Sequence, residues 1–465
     1  MRRTLLADLV FDGTRLSRGL RRIAIEHGTV VAIDPLDGAD ALRDGAPSID
    51  ARGLLVVPGL VNAHVHVARG GAFEAQEPPL PLQAVRNLAG ALSAGTTTIA
   101  DLGCPPRMIG RLREATRAPS TAGPDIVAAG PVVTAPGGYP LDWMPAWVAR
   151  LGAAIACGGE REAGRAIETI AEAGMDLVKL AIMHRGYHDR PLRALDVPTT
   201  AALVAHAHRS GLRIVAHAHS NDDYRVALAA GVDALMHSSF EPLDDELVGR
   251  VKDAGVPVCP TLWVFESICA LDDGEPPWER YRAHVGRTVH RSLRRFAEAF
   301  RASTVVPDGP AAGLPKTRVR EAIRTAAANL ALLHDAGVPI VFGNDAAYGF
   351  SLVARPVDEL AAMHRAGLSV EACLQAATRN ASRALGLHDR GEIAVGKRAD
   401  LVAFPARAEH DVHALGHPEW VMKAGRLVDG RDGSPIALAL AYGRGLIATL
   451  GHALGAPRPR RDIDP

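Results

Sequence analysis

Neither sign of charge is in excess in this sequence. Its 52 lysine and arginine residues balance 52 aspartate and glutamate residues. A chain of this kind has no large electrostatic field to attract nucleic acid or an anionic membrane, which leaves a small molecule as the expected ligand. Apolar residues make up 48% of the 465 positions and charged residues 22%. This composition is typical of a globular protein long enough for one large domain and a smaller companion.

Cysteine is scarce, and no two cysteines have CxxC spacing. The pattern argues against a disulfide framework and against a zinc site built on cysteine pairs. We therefore expect reduced thiols in a cytoplasmic protein. The cysteines are Cys104, Cys157, Cys259, Cys269 and Cys373.

Long uninterrupted apolar runs are missing near both ends of the sequence. The first residues, MRRTLLADLVFDG, are interrupted by Asp8 and Asp12 too early for a signal peptide. The stretch ALALAYGRGLIATLGHAL contains Arg444 and several glycines, which favours a helix packed on the protein over a membrane span. The sequence thus gives no reason to expect a membrane partner.

Short apolar runs alternate with longer helical stretches, which is the pattern of parallel βα units. Most runs follow a helix that ends in a capping glycine. Eight such units in about 330 residues predict a (β/α)8 TIM barrel. A doubly wound sheet is the alternative, but it often carries a glycine-rich phosphate loop, and no GxGxxG follows any of these runs. The runs are LLVVPGLVNAH, TTTIADLG, PDIVAAGPVV, MDLVKLAI, RIVAHAH, VDALMHS, VPVCPTL and VPIVFGND. The capping glycines are Gly95, Gly174, Gly211, Gly231, Gly255 and Gly337.

The two ends of the chain are rich in short β-type segments with turn residues. Residues 1–57 and 389–455 are predicted to build a small β-sandwich beside the barrel, with a terminal helix in the second segment. The barrel is predicted to span 58–388, and the tail 456–465 is expected to be disordered. An insertion at about 264–335, between the seventh and eighth strands, forms either a functional lid or a solvated helical face.

The motif VAHAH occurs twice, and its place in the chain separates the two copies. In the first copy His206 and His208 lie on a predicted helix and point to different faces. In the second copy His217 and His219 lie at the end of a strand, where they share one face. Only the second pair is therefore expected at the C-terminal mouth of the barrel, where enzymes of this fold keep their active sites.

Six polar residues fall at or near the ends of the predicted strands. They are His64, His66, Lys179, His217, His237 and Asp345. Buried polar groups cost several kcal/mol unless they are paired or bind a metal, so their convergence at one mouth predicts a metal site. Histidine and carboxylate ligands suit Zn²⁺ and its neighbours in the first transition row.

Lys179 is unusual because apolar residues surround it in MDLVKLAI. Lysine is almost never buried unless it is paired. An ammonium group cannot bind a metal, but addition of CO₂ to the amine gives an anionic carbamate that can bridge two metal ions. The alternative is an ordinary ion pair with a nearby carboxylate such as Asp345.

These motifs together resemble the amidohydrolase superfamily. PGLVNAHVH, VKLAIM, VAHAH, VDALMHS and VFGNDA follow the order of that superfamily's HxH motif, strand-four lysine, strand-five and strand-six histidines, and strand-eight aspartate. The segments GEIAVGKRADLVAF and PEWVMKAGRLV are similar to its sandwich-closing region. AHAH, AGVDALMH and PTL resemble the branch of imidazolonepropionase-like and Xaa-Pro dipeptidase-like enzymes.

The resemblance implies a centre of two Zn²⁺ ions, with Mn²⁺ or Fe²⁺ as other candidates. The implied ligands are His64, His66 and Asp345 for the first metal, a carboxylated Lys179 as the bridge, and His217 and His237 for the second metal. His219 then takes a supporting or substrate-binding role. Relatives are often dimers or larger, so a homo-oligomer is compatible with the resemblance.

Two stretches depart from the motifs of these relatives, and both concern substrate binding. Relatives often have TGGHGD after the third strand, where this chain has TAPGGYPLD, with Tyr139 in place of a histidine that helps to bind the substrate carbonyl. Dipeptidase-type relatives often carry a tyrosine shortly after HAH, where Ser220 and Asn221 follow here. The candidate substrate-binding residues are His219, Tyr139 and Asn221.

The activity implied by the resemblance is metal-dependent hydrolysis of an amide, cyclic amide or dipeptide-like C–N bond in a small molecule. The metals would lower the pKa of a bridging water. Asp345 would act as the general base toward that water and then as the acid toward the leaving nitrogen. Tyr139 would donate a hydrogen bond to the developing oxyanion, unless it is an ordinary packing residue.

Other activities use related residues. A mononuclear deaminase of the same superfamily typically has an acid three residues after the strand-five histidine, where this chain has Ser220. A phosphotriester or lactone hydrolase would use the same ligands. A biosynthetic cyclase, or a protein that binds without hydrolysis, is a further alternative.

Overall fold

The computed structural model describes residues 2–36, 48–68, 81–117, 123–187, 189–274, 278–309, 311–346, 350–428 and 435–455. The tail 456–465, which we expect to be disordered, lies outside these residues. The described chain is an α/β structure.

Its strands and helices have the following bounds. The strands are β1 (Arg2–Phe11), β2 (Leu16–Glu26), β3 (Thr29–Pro35), β4 (Ser48–Asp50), β5 (Leu54–Pro58), β6 (Leu60–Val65), β7 (Thr96–Asp101), β8 (Asp125–Ala128), β9 (Val132–Thr134), β10 (Ala154–Ala156), β11 (Leu177–Ala181), β12 (Arg213–His217), β13 (Ala234–Met236), β14 (Val258–Cys259), β15 (Leu401–Pro405), β16 (Trp420–Lys423) and β17 (Arg426–Leu427). The helices are α1 (Pro81–Ser93), α2 (Pro106–Arg117), α3 (Ala146–Val148), α4 (Glu160–Glu172), α5 (Val197–Arg209), α6 (Asn221–Ala230), α7 (Asp245–Asp253), α8 (Trp263–Cys269), α9 (Trp278–His284), α10 (Arg287–Arg301), α11 (Lys316–Asp335), α12 (Pro356–Arg365), α13 (Val370–Gln375), α14 (Ala381–Ala384) and α15 (Pro435–Gly455).

Strands from the two ends of the chain pair in one sheet. Its order is β17-β16-β15-β5-β1-β2-β3, and β4 also pairs with β1. The junction between the two ends is the antiparallel pairing of β15 with β5, from Leu401 opposite Pro58 to Pro405 opposite Leu54. Apolar side chains of these strands form a common core, so each end supplies a face that the other covers. Strands of both termini therefore share one sheet, and the predicted β-sandwich domain stays a prediction.

The other strands pair in parallel, in the order expected of a TIM barrel. One sheet has the order β6-β7-β8 and the other β10-β9-β11-β12-β13-β14. A hydrogen bond from the Asp176 N–H to the Ala128 carbonyl links the C-terminal end of β8 with the start of β11. Parallel bridges join Val258 of β14 to Ile340 and Val65 of β6 to Ala346. The segment 340–346 thus contacts the first and the last of these strands. Branched and small side chains fill the space between the strands: Val61, Ala63, Ala100, Val127, Val215, Ala234 and Val341.

Three predicted strands differ from the observed ones. The first, 54–64, is two strands in different sheets that are separated by Gly59, where a Cβ would lie 2.2 Å from Oγ1 of Thr97. The third is likewise divided into β8 and β9 around Gly130, which has a positive φ. The eighth, 338–345, is represented by a single bridge at Ile340, and a second bridge follows at Ala346. The six predicted capping glycines all have positive φ.

The helical predictions largely hold. α5 carries His206 and His208, and α15 covers the C-terminal apolar stretch. No described helix is long and apolar enough to cross a membrane. The predicted insertion contains α8 to α11, and its helices share an apolar core that includes Val289, Leu293 and Phe300.

Candidate metal centre

The HxH pair lies where β6 ends. β6 is buried along its whole length, because the barrel core covers one face and helices the other, and His64 is 1% exposed. The Asp345 N–H donates to the His64 carbonyl at 2.9 Å, so backbone pairing brings the aspartate beside the histidines. The Asn62 side chain donates to that of Asn344 at 2.8 Å and supports the same contact.

The Asp345 carboxylate lies against two imidazoles. Its Oδ1 is 3.3 Å from Nε2 of His64 and 3.1 Å from Nε2 of His66. Asp345 has a φ of 46°, a left-handed conformation that is uncommon for residues other than glycine. Residues held in such conformations cluster at functional sites, where the surrounding structure maintains them.

Lys179 projects from the centre of β11 into the same group. Its side chain is buried, and its Nζ is 3.3 Å from Nε2 of His64. Among the described residues it makes no ion pair, so the simple Lys179–Asp345 pair is not observed. Burial lowers the pKa of Lys179 to about 8, and part of the amine is therefore unprotonated near neutral pH.

The ends of β12 and β13 bring three more imidazoles together. The His217 ring centroid is 4.4 Å from those of His219 and His237, and the latter two are 4.3 Å apart. Nδ1 of His237 is 2.7 Å from Oγ1 of Thr261, which leaves Nε2 for another partner. His237 and Thr261 both have positive φ, as Asp345 does.

Burial keeps these histidines neutral. It lowers the pKa of His64, His217 and His237 well below 6.5, and that of His219 to about 3. A neutral imidazole has a free nitrogen lone pair and is the form that binds metals. The group is therefore chemically prepared to act as a set of ligands.

The residues fit a divalent metal. Three buried ring nitrogens have no hydrogen-bond partner among the described residues: Nδ1 of His64, Nε2 of His217 and Nδ1 of His219. Leaving such a group unsatisfied costs about 1–3 kcal/mol, which a metal would remove at each nitrogen that it binds. In His64 the nitrogen beside Asp345 is the other one, Nε2. Two groups have candidate ligand atoms within 4.8 Å of one another, namely His217, His219 and His237, and His64, His237 and Asp345. Imidazoles with one carboxylate are ligands that suit Zn²⁺ and similar ions.

The two other candidate substrate residues have different surroundings. The Tyr139 ring stacks on His217 at 4.7 Å and 24°, directly beside the cluster. Asn221 instead links the loops after β12 and β13, because it accepts from Oγ of Ser239 and donates to the Pro242 carbonyl. Substrate roles for both residues stay predictions.

A cavity of about 380 Å³ adjoins the cluster. His219, Asp345 and Tyr139 form part of its wall. The opposite wall comes from α8, α11 and the segment between α10 and α11, all of which belong to the predicted insertion. Of the two interpretations of the insertion, the structure favours a functional one, since its inner side lines this cavity.

One set of hydrogen bonds at the site, made by the Asp223 carboxylate and called the Asp223 clasp below, was not predicted from the sequence. The buried Asp223 accepts from the His184 N–H at 2.9 Å and lies 2.7 Å from Nδ1 of the same residue. Its other oxygen accepts from the N–H groups of His219 and Ser220 at 3.1 and 3.0 Å. The Ser220–Asp223 spacing is a capping-box signal for α6 that the sequence does contain. This capping box also gives the Ser220 side chain a structural role.

Glu359 is a second residue that sequence reasoning missed. It is buried in the first turn of α12 and accepts from the N–H groups of Leu262 and Trp263 at 2.8 and 2.6 Å. These residues follow Thr261, so the carboxylate fixes the segment that supports His237. Burial raises the pKa of Glu359 to about 8. No local pattern reveals this contact, because 97 positions separate Glu359 from Leu262.

The sequence profile of the amidohydrolase family matches residues 55–428. An uncharacterised protein of Mycobacterium tuberculosis is 27% identical over 404 residues, which cover 85% of this chain and 89% of that protein. The imidazolonepropionase of Geobacillus kaustophilus is 33% identical over 156 residues, 32% of this chain and 34% of the enzyme. Among solved structures, a Xaa-Pro dipeptidase with methionine bound in its active site has a TM-score of 0.73. It is 21% identical, and the match covers 92% of this chain and all of the dipeptidase.

Proposed function

The chain belongs to the amidohydrolase family, and on this premise we propose that it hydrolyses an amide-type C–N bond of a small molecule at a binuclear metal centre. The observation that carries the proposal is the convergence of four neutral imidazoles, one further histidine, a carboxylate and a buried lysine at the ends of parallel strands. Ring nitrogens without partners make this arrangement costly in the absence of a ligand. A bound metal removes that cost.

The proposed ligands are those that the motifs indicated. They are His64, His66 and Asp345 for one metal, Lys179 as its carbamate between the two, and His217 and His237 for the other. His219 belongs to one of the compact ligand groups, so it supports the second metal or contacts the substrate. The fold proposed with this site is a closed barrel over 58–388, and the bridges at Val65 and Val258 support it. A two-layered β unit from 1–57 and 389–455 completes it.

Carboxylation of Lys179 is supported by its environment. The reaction joins the amine nitrogen to CO₂ and releases one proton, which requires the unprotonated amine. Burial supplies that form, because it lowers the pKa of Lys179 to about 8 against the opposing effect of the nearby Asp345 carboxylate. Zn²⁺ is the metal that we propose, with Mn²⁺ and Fe²⁺ as the other candidates.

In the proposed reaction, the metal and the side chains of the protein have separate roles. A divalent metal bound here supplies a water of lowered pKa and an electrophile for the carbonyl oxygen. Asp345 accepts a proton from the attacking water and returns it to the leaving nitrogen. Tyr139, which stacks on His217, provides a phenol for the developing oxyanion. The buried walls around His217 and His237 limit access of bulk water.

The experiment that tests this proposal measures metal per chain by elemental mass spectrometry. Protein is expressed with added zinc and bicarbonate as wild type, as Lys179→Ala and as Lys252→Ala, an exposed lysine on α7 that serves as the control. We expect about two metal ions per chain in the wild type and the control, and fewer in Lys179→Ala.

The same preparations are assayed on N-acyl and cyclic amides beside lactones and phosphotriesters. Amide hydrolysis that is lost on chelation and restored by Zn²⁺ supports the proposal. One metal that does not depend on Lys179 would overturn the binuclear centre. Absence of metal, or activity on the esters alone, would overturn the proposed function.

A further inference from the structure

The cavity beside the cluster has a mostly apolar lining. On the barrel side it is formed by Tyr187 and Phe240, and on the insertion side by Phe265, Ile268, Leu314 and Val319. We propose that it binds a bulky, uncharged apolar group of the substrate, so that the preferred substrates are amides with a phenyl-sized or longer hydrocarbon group a few bonds from the scissile bond. This inference rests on the proposed function and names its substrate class.

The cavity is continuous with the proposed reacting groups. His219 and Asp345 line it, and the Phe240 ring stacks on His219 at 4.4 Å and 15°. Phe265 meets the same imidazole edge-on at 5.8 Å. A group in this cavity is therefore directly beside the cluster, close enough to belong to the same substrate molecule.

The far wall is preformed. Leu314 and Ile268 are 7% and 6% exposed, and both pack in the insertion's own apolar core. A volume of about 380 Å³ falls in the range of small-molecule pockets. Because the insertion is folded around this core, the pocket does not need a ligand to assemble it.

The charged residues that line the cavity disfavour binding of an anionic group. Arg318 and Asp189 both line the cavity and pair with each other at 2.6 Å. The other exposed charges of the lining are Arg185 and the carboxylates of Glu241, Asp308 and Glu321. The exposed charges of the lining therefore have a negative balance, and placing a carboxylate against its apolar part costs free energy. A substrate whose large group ends in a carboxylate is therefore disfavoured.

The test compares amides that differ only at the end of one arm. In the acyl series, 4-phenylbutanoyl and glutaryl amides of one amine carry a phenyl or a carboxylate on the same three-methylene arm. In the amine series, the acetyl amides of 3-phenylpropylamine and of 4-aminobutanoate differ in the same way. We expect kcat/KM to favour the phenyl compound about tenfold or more in at least one series. Equal rates, or preference for the acid in both series, would overturn the inference.

A substitution in the cavity wall tests whether the preference for the phenyl compound arises in this cavity. Ala322 lies on α11 and lines the cavity, whereas Ala328 on the same helix is exposed and does not. We expect Ala322→Trp to fill the pocket and reduce the phenyl-to-acid ratio about tenfold, and Ala328→Trp to leave the ratio unchanged. Ala322→Leu, a smaller change, is expected to act in the same direction. An unchanged ratio in folded Ala322→Trp would contradict the assignment.

A binding measurement separates the substrate class from the activity. The ketones 5-phenylpentan-2-one and 5-oxohexanoate reproduce the two arms but contain no amide, and their affinities for the metal-loaded protein are measured by calorimetry. Preference for the phenyl ketone supports the inference even where no amide is hydrolysed, a result that would count only against the proposed function. Equal affinity, or preference for the acid, overturns the inference while hydrolysis of small amides would still support the function.

Discussion

Asp345 combines the features expected of a residue that moves a proton. Its carboxylate contacts the imidazoles of both His64 and His66, and its left-handed backbone is held by the hydrogen bond to the His64 carbonyl. It also lines the cavity beside the cluster. A carboxylate in this position reaches both the proposed metal ligands and the space that we propose for a substrate.

We expect Asp345→Asn to retain most of the bound metal and to lose turnover. The amide keeps one oxygen for ligation but cannot accept the proton of the attacking water, and general-base catalysis contributes about 10²–10⁴-fold. The measurement is kcat together with metal per chain. Asp222→Asn, an exposed substitution, is the control, and wild-type turnover in Asp345→Asn would disprove the assigned role.

Individual residues also show why the sequence pattern was informative here. A lysine in the middle of a buried strand and histidines at strand ends are costly unless they have a function, and the structure places them in contact, as with Lys179 and His64. Local pattern cannot show that His219 lies as close to His237 as His217 does. β12 ends at His217, so the strand periodicity that linked the two histidines no longer applies at 219.

At the scale of elements, the loops after β11 and β12 are joined by one carboxylate. Asp223 accepts from four donors, two on His184 and the N–H groups of His219 and Ser220. Asp223 is in the first turn of α6, so the helix start holds the strand end at which His219 lies. The hydrogen bond to Asp223 raises the pKa of His184 above its usual 6.5.

Asp223→Asn is expected to destabilise the protein by about 1–3 kcal/mol, because the amide offers one acceptor oxygen in place of two and leaves a buried donor unsatisfied. The pKa of His184 returns toward 6.5 in the variant. A group with a raised folded pKa adds stability that is fully present below the unfolded pKa and is lost as pH rises through the folded value. The difference in stability between wild type and variant therefore shrinks as pH rises from about 6.5 through the folded pKa of His184.

Urea unfolding at several pH values and NMR titration of His184 test this prediction. The control is Asp253→Asn, an exposed residue at the end of α7, for which we expect a change in stability within about 0.5 kcal/mol and no change in the pKa of His184. An unshifted His184 pKa in Asp223→Asn would show that the clasp does not act as described.

At the scale of the whole molecule, Asp125 connects the barrel-type strands to the terminal sheet. It lies at the start of β8 and binds Lys423 of β16 at 2.7 Å, Arg390 at 2.8 Å and Arg398. Its side chain is 18% exposed. Burial works to raise the pKa of Asp125, but Lys423 and Arg398 outweigh it and hold that pKa below 3.8. One carboxylate thus contacts three cations from the C-terminal segment.

We expect Asp125→Asn to cost about 3 kcal/mol of unfolding free energy at neutral pH, because it leaves the partly buried Lys423 without its carboxylate partner, whereas Arg390 and Arg398 keep Asp389 and Asp400. The lowered pKa contributes stability that is present above the unfolded value of 3.8 and is lost as pH falls through the folded value. The gap between wild type and variant therefore narrows below about pH 3.8. Chemical unfolding across this range measures it, and Asp34→Asn, in an exposed pair with Arg22, is the control. A constant gap would argue against the ion-pair explanation.

The sequence by itself determined the alternation of βα units, the joining of both termini in one β unit, and the residues of the candidate centre. These features depend on local periodicity and on the cost of placing His64, Lys179 or His237 in an apolar strand, so they can be read from neighbouring positions. The tertiary structure alone decided where Gly59 divides one apolar run between two sheets, and which distant donors Asp223 and Glu359 accept from. It also decided that the insertion forms a wall of the cavity. Those outcomes arise from contacts between segments far apart in the chain, whose energies depend on three-dimensional packing and leave no periodic trace in the sequence.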